Sequence, residues 1–366
     1  MQQKVICSIL PPHILRKLAD KPELRDRVLR NLAISEQWRG IRQTAAPALL
    51  AQLPGSKHRT IFDAKSTTNL PGTQVLDEGG PASADPAVNE AYQYTGDTYD
   101  FYKQVFNRNS VDDHGLTLTS SVHYSDQYDN ALWNGEQMIY GDGDGQYFQR
   151  FTICLDVIGH ELTHGVTQNE AQLVYSGQSG ALNESISDVF GSLVKQWVNN
   201  QTVDQADWLI GAGLFTSAVQ GKAIRSMSAP GTAYNDPNIG TDPQPATIDR
   251  YVNTTDDYGG VHINSGIPNH AFYLAAKAIG GYAWQKAGLI WYRTLNGSLS
   301  PSATFQDMSN ATTIVAGSLF GQNSNEQQAV TQAWATVGVP PTASQFRALS
   351  APAKGNPTGQ GEGKAA

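Results

Sequence analysis

Apolar positions in this chain follow two rhythms, and the change between them divides it. Residues 63–144 have the texture of strand and turn. Within them, residues 117–124 alternate apolar and polar side chains as a half-buried strand does, and residues 131–140 read as two strands turning about Asn134-Gly135. Residues 87–107 are the exception, a helix carrying Val88, Tyr92, Tyr99, Phe101, Tyr102 and Phe106. From Asp156 onward helical spacing takes over. Val157, Ile158, Leu162 and Val166 form one apolar face, and Ile186, Val189, Phe190, Leu193, Val194 and Trp197 form another in a helix expected to start at Asn183. After a long loop rich in Pro, Asp and Asn (226–258), helical patterns resume at 268–279, 283–295, 304–320 and 326–337.

The two ends differ from the middle. The first sixty residues are rich in Arg, Lys and Leu and end in LPGSKHRT. Their charged run, residues 16–30, reads as an amphipathic helix, with Ile14, Leu15, Leu18, Leu24, Val28 and Leu29 available for packing. The tail beyond Val339 is Pro, Ala, Gly and Lys, too poor in large apolar residues to order itself, and disorder is expected over 340–366.

Chemistry concentrates in residues 156–168, DVIGHELTHGVTQ. Side chains four apart share a helix face, so His160 and His164 can share one tetrahedral metal ion. Glu161 projects one step round, placed to act on a metal-activated water rather than to ligate. Imidazoles suit Zn²⁺, and a catalytic zinc needs a third protein ligand and an open position. Glu184, expected in the first turn of the next helix, offers the third ligand. Asp188, one turn later, is a good acceptor for the N–H of a ligating imidazole.

HELTH, then GALNESISDVFG at 180–191 and DDYGGVHINSGIPN at 256–269, together resemble the thermolysin-like neutral metalloproteases over residues 63–339. The leader, with ICSILPPHIL at 6–15, looks most like the protealysin branch. The resemblance implies an α+β fold of two domains. A propeptide at 1–60 would precede a β-rich domain at 61–174 that ends in the metal helix, and a helical domain at 175–339 would follow. It implies a zinc endopeptidase made as a precursor. Tyr175 and His262 would stabilise the oxyanion, Asp257 would orient His262, and Asn183 would support the metal site. Asn130, Ala131 and Arg225 would grip the substrate backbone, Arg225 at the carbonyl of the residue after the cut. Phe148, Phe151, Val157, Ile210, Leu214 and Ile224 would line an apolar pocket for that residue's side chain, which predicts cleavage on the amino side of Leu, Phe, Ile or Val.

The leader would hold the enzyme off until cut between about residues 53 and 70. Either the Cys7 thiolate takes the open zinc position or the Ile9-Leu10-Pro11-Pro12 stretch plugs the cleft. Calcium is where the sequence departs from the family. Asp156 and Asp207 remain of a double-site carboxylate cluster, but Lys195, Leu209 and Ala212 stand where other carboxylates would be, and Lys222 where one of a further site would be. A tight two-ion site is implausible, and the Lys195 ammonium is expected between Asp156 and Asp207. Residues 141–145, GDGDG, resemble a calcium-loop fragment but lack its ligand pattern, so a Gly-rich turn is expected.

Composition adds limits. A net charge of −8 gives no reason to expect nucleic acid or an anionic membrane as partner. Two cysteines make no disulfide framework, and no stretch is long and apolar enough to span a bilayer. The start of the chain has no recognisable signal peptide. Secretion, implied by the family, would then need a non-classical route, and a cytoplasmic location is the other reading. A monomer acting on proteins or peptides is expected. The competing classes are a catalytically inactive peptide-binding homologue, a structural zinc protein and another metal-dependent hydrolase.

Overall fold

The computed structural model describes residues 8–44 and 56–342, with backbone alone for 39–44. Cys7 and nearly all of the tail lie outside the described residues. Two helices, α1 (Pro12–Leu18) and α2 (Arg25–Thr44), come first where the charged run predicts one. The break falls around Lys21-Pro22, because proline lacks an N–H and disfavours helical backbone in the residue before it. Ile14, Leu15, Leu18 and Val28 are buried as expected, but Leu29 is 51% exposed. The buried stripe of α2 instead runs through Val28, Asn31 and Ser35, and so is partly polar. Asn31 Nδ2 donates to Gln127 O at 3.0 Å, and Ser35 Oγ lies 2.9 Å from Tyr128 Oη.

Strands β1 (Arg59–Asp63), β2 (Thr73–Asp77), β3 (Leu118–Val122), β4 (Ala131–Trp133) and β5 (Met138–Tyr140) form one sheet in the order β2-β1-β3-β5-β4, with α3 (Pro86–Phe106) falling between β2 and β3 in the chain. β4 and β5 are the hairpin read at Asn134-Gly135. β1 lies within residues 53–70, the stretch where the cut is expected, while residues 65–69 beyond it are exposed. It is bonded antiparallel to β2 and parallel to β3, so it lies inside the sheet. Its five residues are too short a run, beside LPGSKHRT, to stand out from turn chemistry.

Helix α4 (Leu155–Asn169) carries HELTH and packs on α5 (Gly177–Val198). α5 starts six residues before the predicted Asn183, so Glu184 lies well inside it and not in its first turn. The two helices meet through glycine. A Cβ at Gly191 would lie 2.4 Å from Asp156 O, and one at Gly159 3.1 Å from Gly191 Cα. Larger residues there would hold His160 and His164 away from Glu184.

The second half adds two short hairpins, β6 (Leu209–Ile210) with β7 (Arg225–Ser226) and β8 (Asn235–Asp236) with β9 (Gly240–Thr241). Helices α6 (Asp257–Asn264), α7 (Gly266–Ile279), α8 (Ala287–Leu295), α9 (Phe305–Phe320) and α10 (Asn325–Thr336) complete it. Thr304 and Asp307 cap α9 reciprocally, so that helix starts where its sequence says. A continuous hydrophobic core joins sheet, α4 and α5 to the later helices. No helix among the described residues is long and apolar enough to cross a membrane.

Candidate active site

His160, Glu161 and His164 lie on the buried middle of α4, and Glu184 faces them from α5. The Nε2 atoms of His160 and His164 are 3.0 Å apart, and Glu184 carboxylate oxygens stand 3.6 and 3.7 Å from them. One ligating atom from each of the three residues lies within 4.8 Å of the others. The other ring nitrogens are spoken for. His160 Nδ1 donates to Asp188 Oδ1 at 2.8 Å, and His164 Nδ1 to Asn183 Oδ1 at 2.8 Å. These bonds leave the Nε2 lone pairs for a shared centre. Two nitrogens bound at ~2.0–2.1 Å to one tetrahedral zinc stand about 3.3 Å apart, so the donor set fits that ion. Burial works against the charge of Glu184, yet His262, His164 and His160 around it hold its pKa at about 2. The carboxylate is ready to ligate at neutral pH.

Glu161 Oε2 accepts a 2.9 Å hydrogen bond from Trp133 N, which ties the carboxylate to edge strand β4. His262 lies across the site on α6. Its Nδ1 donates to Asp257 Oδ1 at 2.7 Å, while Asp257 Oδ2 accepts from His262 N at 2.9 Å. Asp257, Tyr258, Gly259 and Gly260 all have left-handed backbone, and this kink folds the Asp257 carboxylate beneath the imidazole. Burial disfavours the His262 cation, but Asp257 and Glu184 outweigh it and raise the pKa. Tyr175 Oη donates to Glu184 Oε1 at 2.5 Å and lies 3.3 Å from His262 Nε2.

Asp188 joins the metal side of the site to the peptide side. Besides His160 it accepts Arg225 Nε at Oδ2 and Arg225 Nη2 at Oδ1, both at 2.7 Å. Asn269 Nδ2 adds a 2.8 Å bond to Oδ2. Burial opposes the Asp188 charge, but Arg225 and His160 keep its pKa well below the carboxylate range. Sequence reading missed Asn269, whose only signal is its place in the quoted GIPN. Trp133 N was missed too, since a backbone donor leaves no mark in a sequence.

The leader runs through this site. Ile9 N donates to Ala131 O at 3.2 Å, Leu10 N to Asn130 Oδ1 at 3.0 Å and Arg225 Nη1 to Ile9 O at 3.0 Å. His262 Nε2 donates to Ser8 O at 3.0 Å. With Asp257 and Ser8 both accepting, the ring carries two protons. The six residues expected to line the pocket, Phe148, Phe151, Val157, Ile210, Leu214 and Ile224, are all buried in the main core. Ile210 pairs with Arg225 across β6 and β7, which places it beside the guanidinium.

Away from the centre, Lys195 Nζ lies 2.7 Å from Asp156 Oδ2 and 3.0 Å from Asp207 Oδ1, and donates to Leu209 O at 2.7 Å. Lys222 is exposed. In the GDGDG turn, Asp144 Oδ1 accepts from Gln146, Tyr147 and Phe148 N, while Oδ2 receives Arg27 Nη2 of the leader at 2.7 Å.

Two imidazoles and a carboxylate around one centre, with a second carboxylate beside it and an imidazolium opposite, define a metal-dependent hydrolase. Residues 51–168 match the thermolysin metallopeptidase catalytic domain and residues 171–339 its alpha-helical domain. An extracellular metalloprotease of Pectobacterium carotovorum subsp. carotovorum is 50% identical over 342 residues, 93% of this chain and 98% of that one. Protease PrtS of Photorhabdus sp. (strain Az29) is 51% identical over 285 residues, 77% of this chain and 76% of its own. The solved precursor of protealysin, a metalloproteinase from Serratia proteamaculans, superposes with a TM-score of 0.84 at 52% identity, covering 91% of this chain and 99% of that one. The chain belongs to the thermolysin family of metallopeptidases. It is a zinc metalloendopeptidase with the two-part fold of that family.

Proposed function

We propose that the chain is a precursor whose mature part cuts peptide bonds before bulky apolar residues, with His160, His164 and Glu184 as zinc ligands. The convergence of those three ligands beside Glu161, opposite His262 and Tyr175, carries the reading. A zinc ion held by these three residues would supply Lewis acidity at the peptide carbonyl and acidify water. Glu161 takes the proton of the attacking water and passes it to the leaving nitrogen. The His262 imidazolium and the Tyr175 hydroxyl meet the oxyanion, with Asp257 holding the imidazole in place. Asn183 and Asp188 fix the tautomers of the ligating rings. Asn130, Ala131 and Arg225 hold the substrate backbone, and the apolar set around Ile210 receives the side chain after the cut.

Residues up to about 60 act as the propeptide and inhibitor. Ser8, Ile9 and Leu10 fill the cleft, which favours the plug over a Cys7 thiolate on the metal. Because β1 is held in the sheet, we place the severing cut before Arg59. The Lys195 ammonium replaces the double calcium site, since it already pairs with both remaining carboxylates. Secretion follows by analogy with relatives named extracellular, and the enzyme acts as a monomer. An inactive peptide-binding homologue is the competing reading, and nothing in the site's geometry favours it.

The test is hydrolysis of a mixed peptide set by zinc-loaded protein whose leader has been severed. Cuts should precede Leu, Phe, Ile or Val. Intact peptides throughout would refute the proposal.

A further inference from the structure

We infer that the Ser8–Ile9 peptide bond of the leader sits in the reacting position and is the enzyme's own first cleavage site. The inference rests on the roles proposed above for Arg225, His262 and Glu161. A strand laid against an edge in one register offers one bond to the site, and a slip by one residue turns every side chain to the other face. Here the register is fixed at five points. Ser8 forms an antiparallel bridge with Leu132 on β4. Ile9 N reaches Ala131 O, and Leu10 N reaches Asn130 Oδ1. Arg225, which grips the carbonyl after the cut, holds Ile9 O. His262, the donor for the carbonyl under attack, holds Ser8 O.

Among the described residues, only the bond between Ser8 and Ile9 has its carbonyl at His262 and its following carbonyl at Arg225. Glu161 is tied to Trp133 N, next along β4 from the residue that faces Ser8. The residue after the bond is Ile, an apolar side chain fully buried in the cleft, in agreement with the proposed specificity. The leader therefore lies in the direction and register of a substrate.

The step needs only water. Its oxygen bonds to the Ser8 carbonyl carbon, the C–N bond to Ile9 breaks, and Glu161 delivers a proton to the Ile9 nitrogen. The products are a Ser8 carboxylate and an Ile9 ammonium, with no change of oxidation state. The cut does not release the leader. From Ile9 onward the segment stays anchored by Lys21 on Tyr147 and Arg27 on Asp144. Clipping thus precedes release, and the clipped leader occupies the cleft as a bound product.

The test uses the full chain, prepared metal-free and then given zinc, followed by intact mass at several protein concentrations. The expected result is loss of Met1–Ser8 at a rate independent of concentration. Glu161→Gln should stay whole, and Ile9→Asp should lose this cut. A readout free of catalysis is hydrogen exchange in metal-free Glu161→Gln full chain, where the Ile9 and Leu10 amides should be protected. A rate rising with concentration, or unprotected amides, overturns the inference. So does an intact Ser8–Ile9 bond in zinc-loaded protein that hydrolyses test peptides once its leader is severed, though that result leaves the protease reading standing. Absence of both the clip and peptide hydrolysis overturns the two together.

Discussion

Arg225 donates from Nη1 to the carbonyl of Ile9, a residue 216 positions earlier, at 3.0 Å, while its other nitrogens clamp Asp188. One guanidinium thus couples Asp188 on α5 to the leader segment in the cleft. Arg225→Lys keeps a charge beside Asp188 but loses the planar fork. A hydrogen bond to a charged group contributes ~1.5–3 kcal/mol, so kcat/KM for peptides should fall ~10–100-fold. Steady-state kinetics with bound zinc quantified would check it.

Gly191→Ala should disturb the metal site without touching a ligand. The added methyl would meet Asp156 O at 2.4 Å, and both partners are helix backbone that cannot swing aside. Overpacking of this kind costs ~1–3 kcal/mol. The expected result is a lower Tm with zinc content reduced in parallel, read by calorimetry and metal analysis.

Lys195→Met should destabilise the fold. It leaves Asp156, almost fully buried, without its cation, and breaking a buried pair costs ~3–5 kcal/mol, less here because Asp207 is half exposed. Chelating calcium while zinc is retained should leave the wild-type Tm unchanged. A sharp fall would show that calcium, and not Lys195, holds the two aspartates.

His123 gives the fold a pH dependence. Its Nδ1 lies 2.9 Å from Asp142 and its Nε2 2.6 Å from Asp85, the residue that caps α3. The hydrogen bond that His123 donates to Asp142 leads in raising its pKa from 6.5 to about 9, against burial. A raised pKa favours the protonated folded state. The stability from His123 is therefore fully present below pH 6.5 and lost as pH rises through about 9. His123→Gln should flatten thermal stability measured between pH 6 and 10.

Much of this was legible in the sequence. HELTH fixes its own geometry, since helical spacing alone brings two imidazoles together, and α4 places them so. Glu184 was legible as a candidate ligand but not in its helical position, because the start of α5 at Gly177 depends on a glycine with left-handed backbone. β1 was hidden because its run is short and sits beside turn chemistry, while its parallel partner β3 lies far along the chain and leaves no local pattern. Leu29 misled because the buried stripe of α2 passes through Val28, Asn31 and Ser35, and two of those three are hydrogen-bonding residues that an apolar pattern does not reveal. Asn269 and Trp133 N were invisible for a related reason. They act through contacts that only the assembled fold creates.

The most direct test of the central claim compares leader-severed wild type with Glu161→Gln, measuring zinc stoichiometry and peptide hydrolysis on the same samples. General base catalysis contributes ~10²–10⁴-fold. One zinc per chain is expected in both proteins, with kcat in the variant lower by at least about 10²-fold. Equal turnover by the variant, or a wild type that binds zinc at His160, His164 and Glu184 and cuts no peptide, would contradict it.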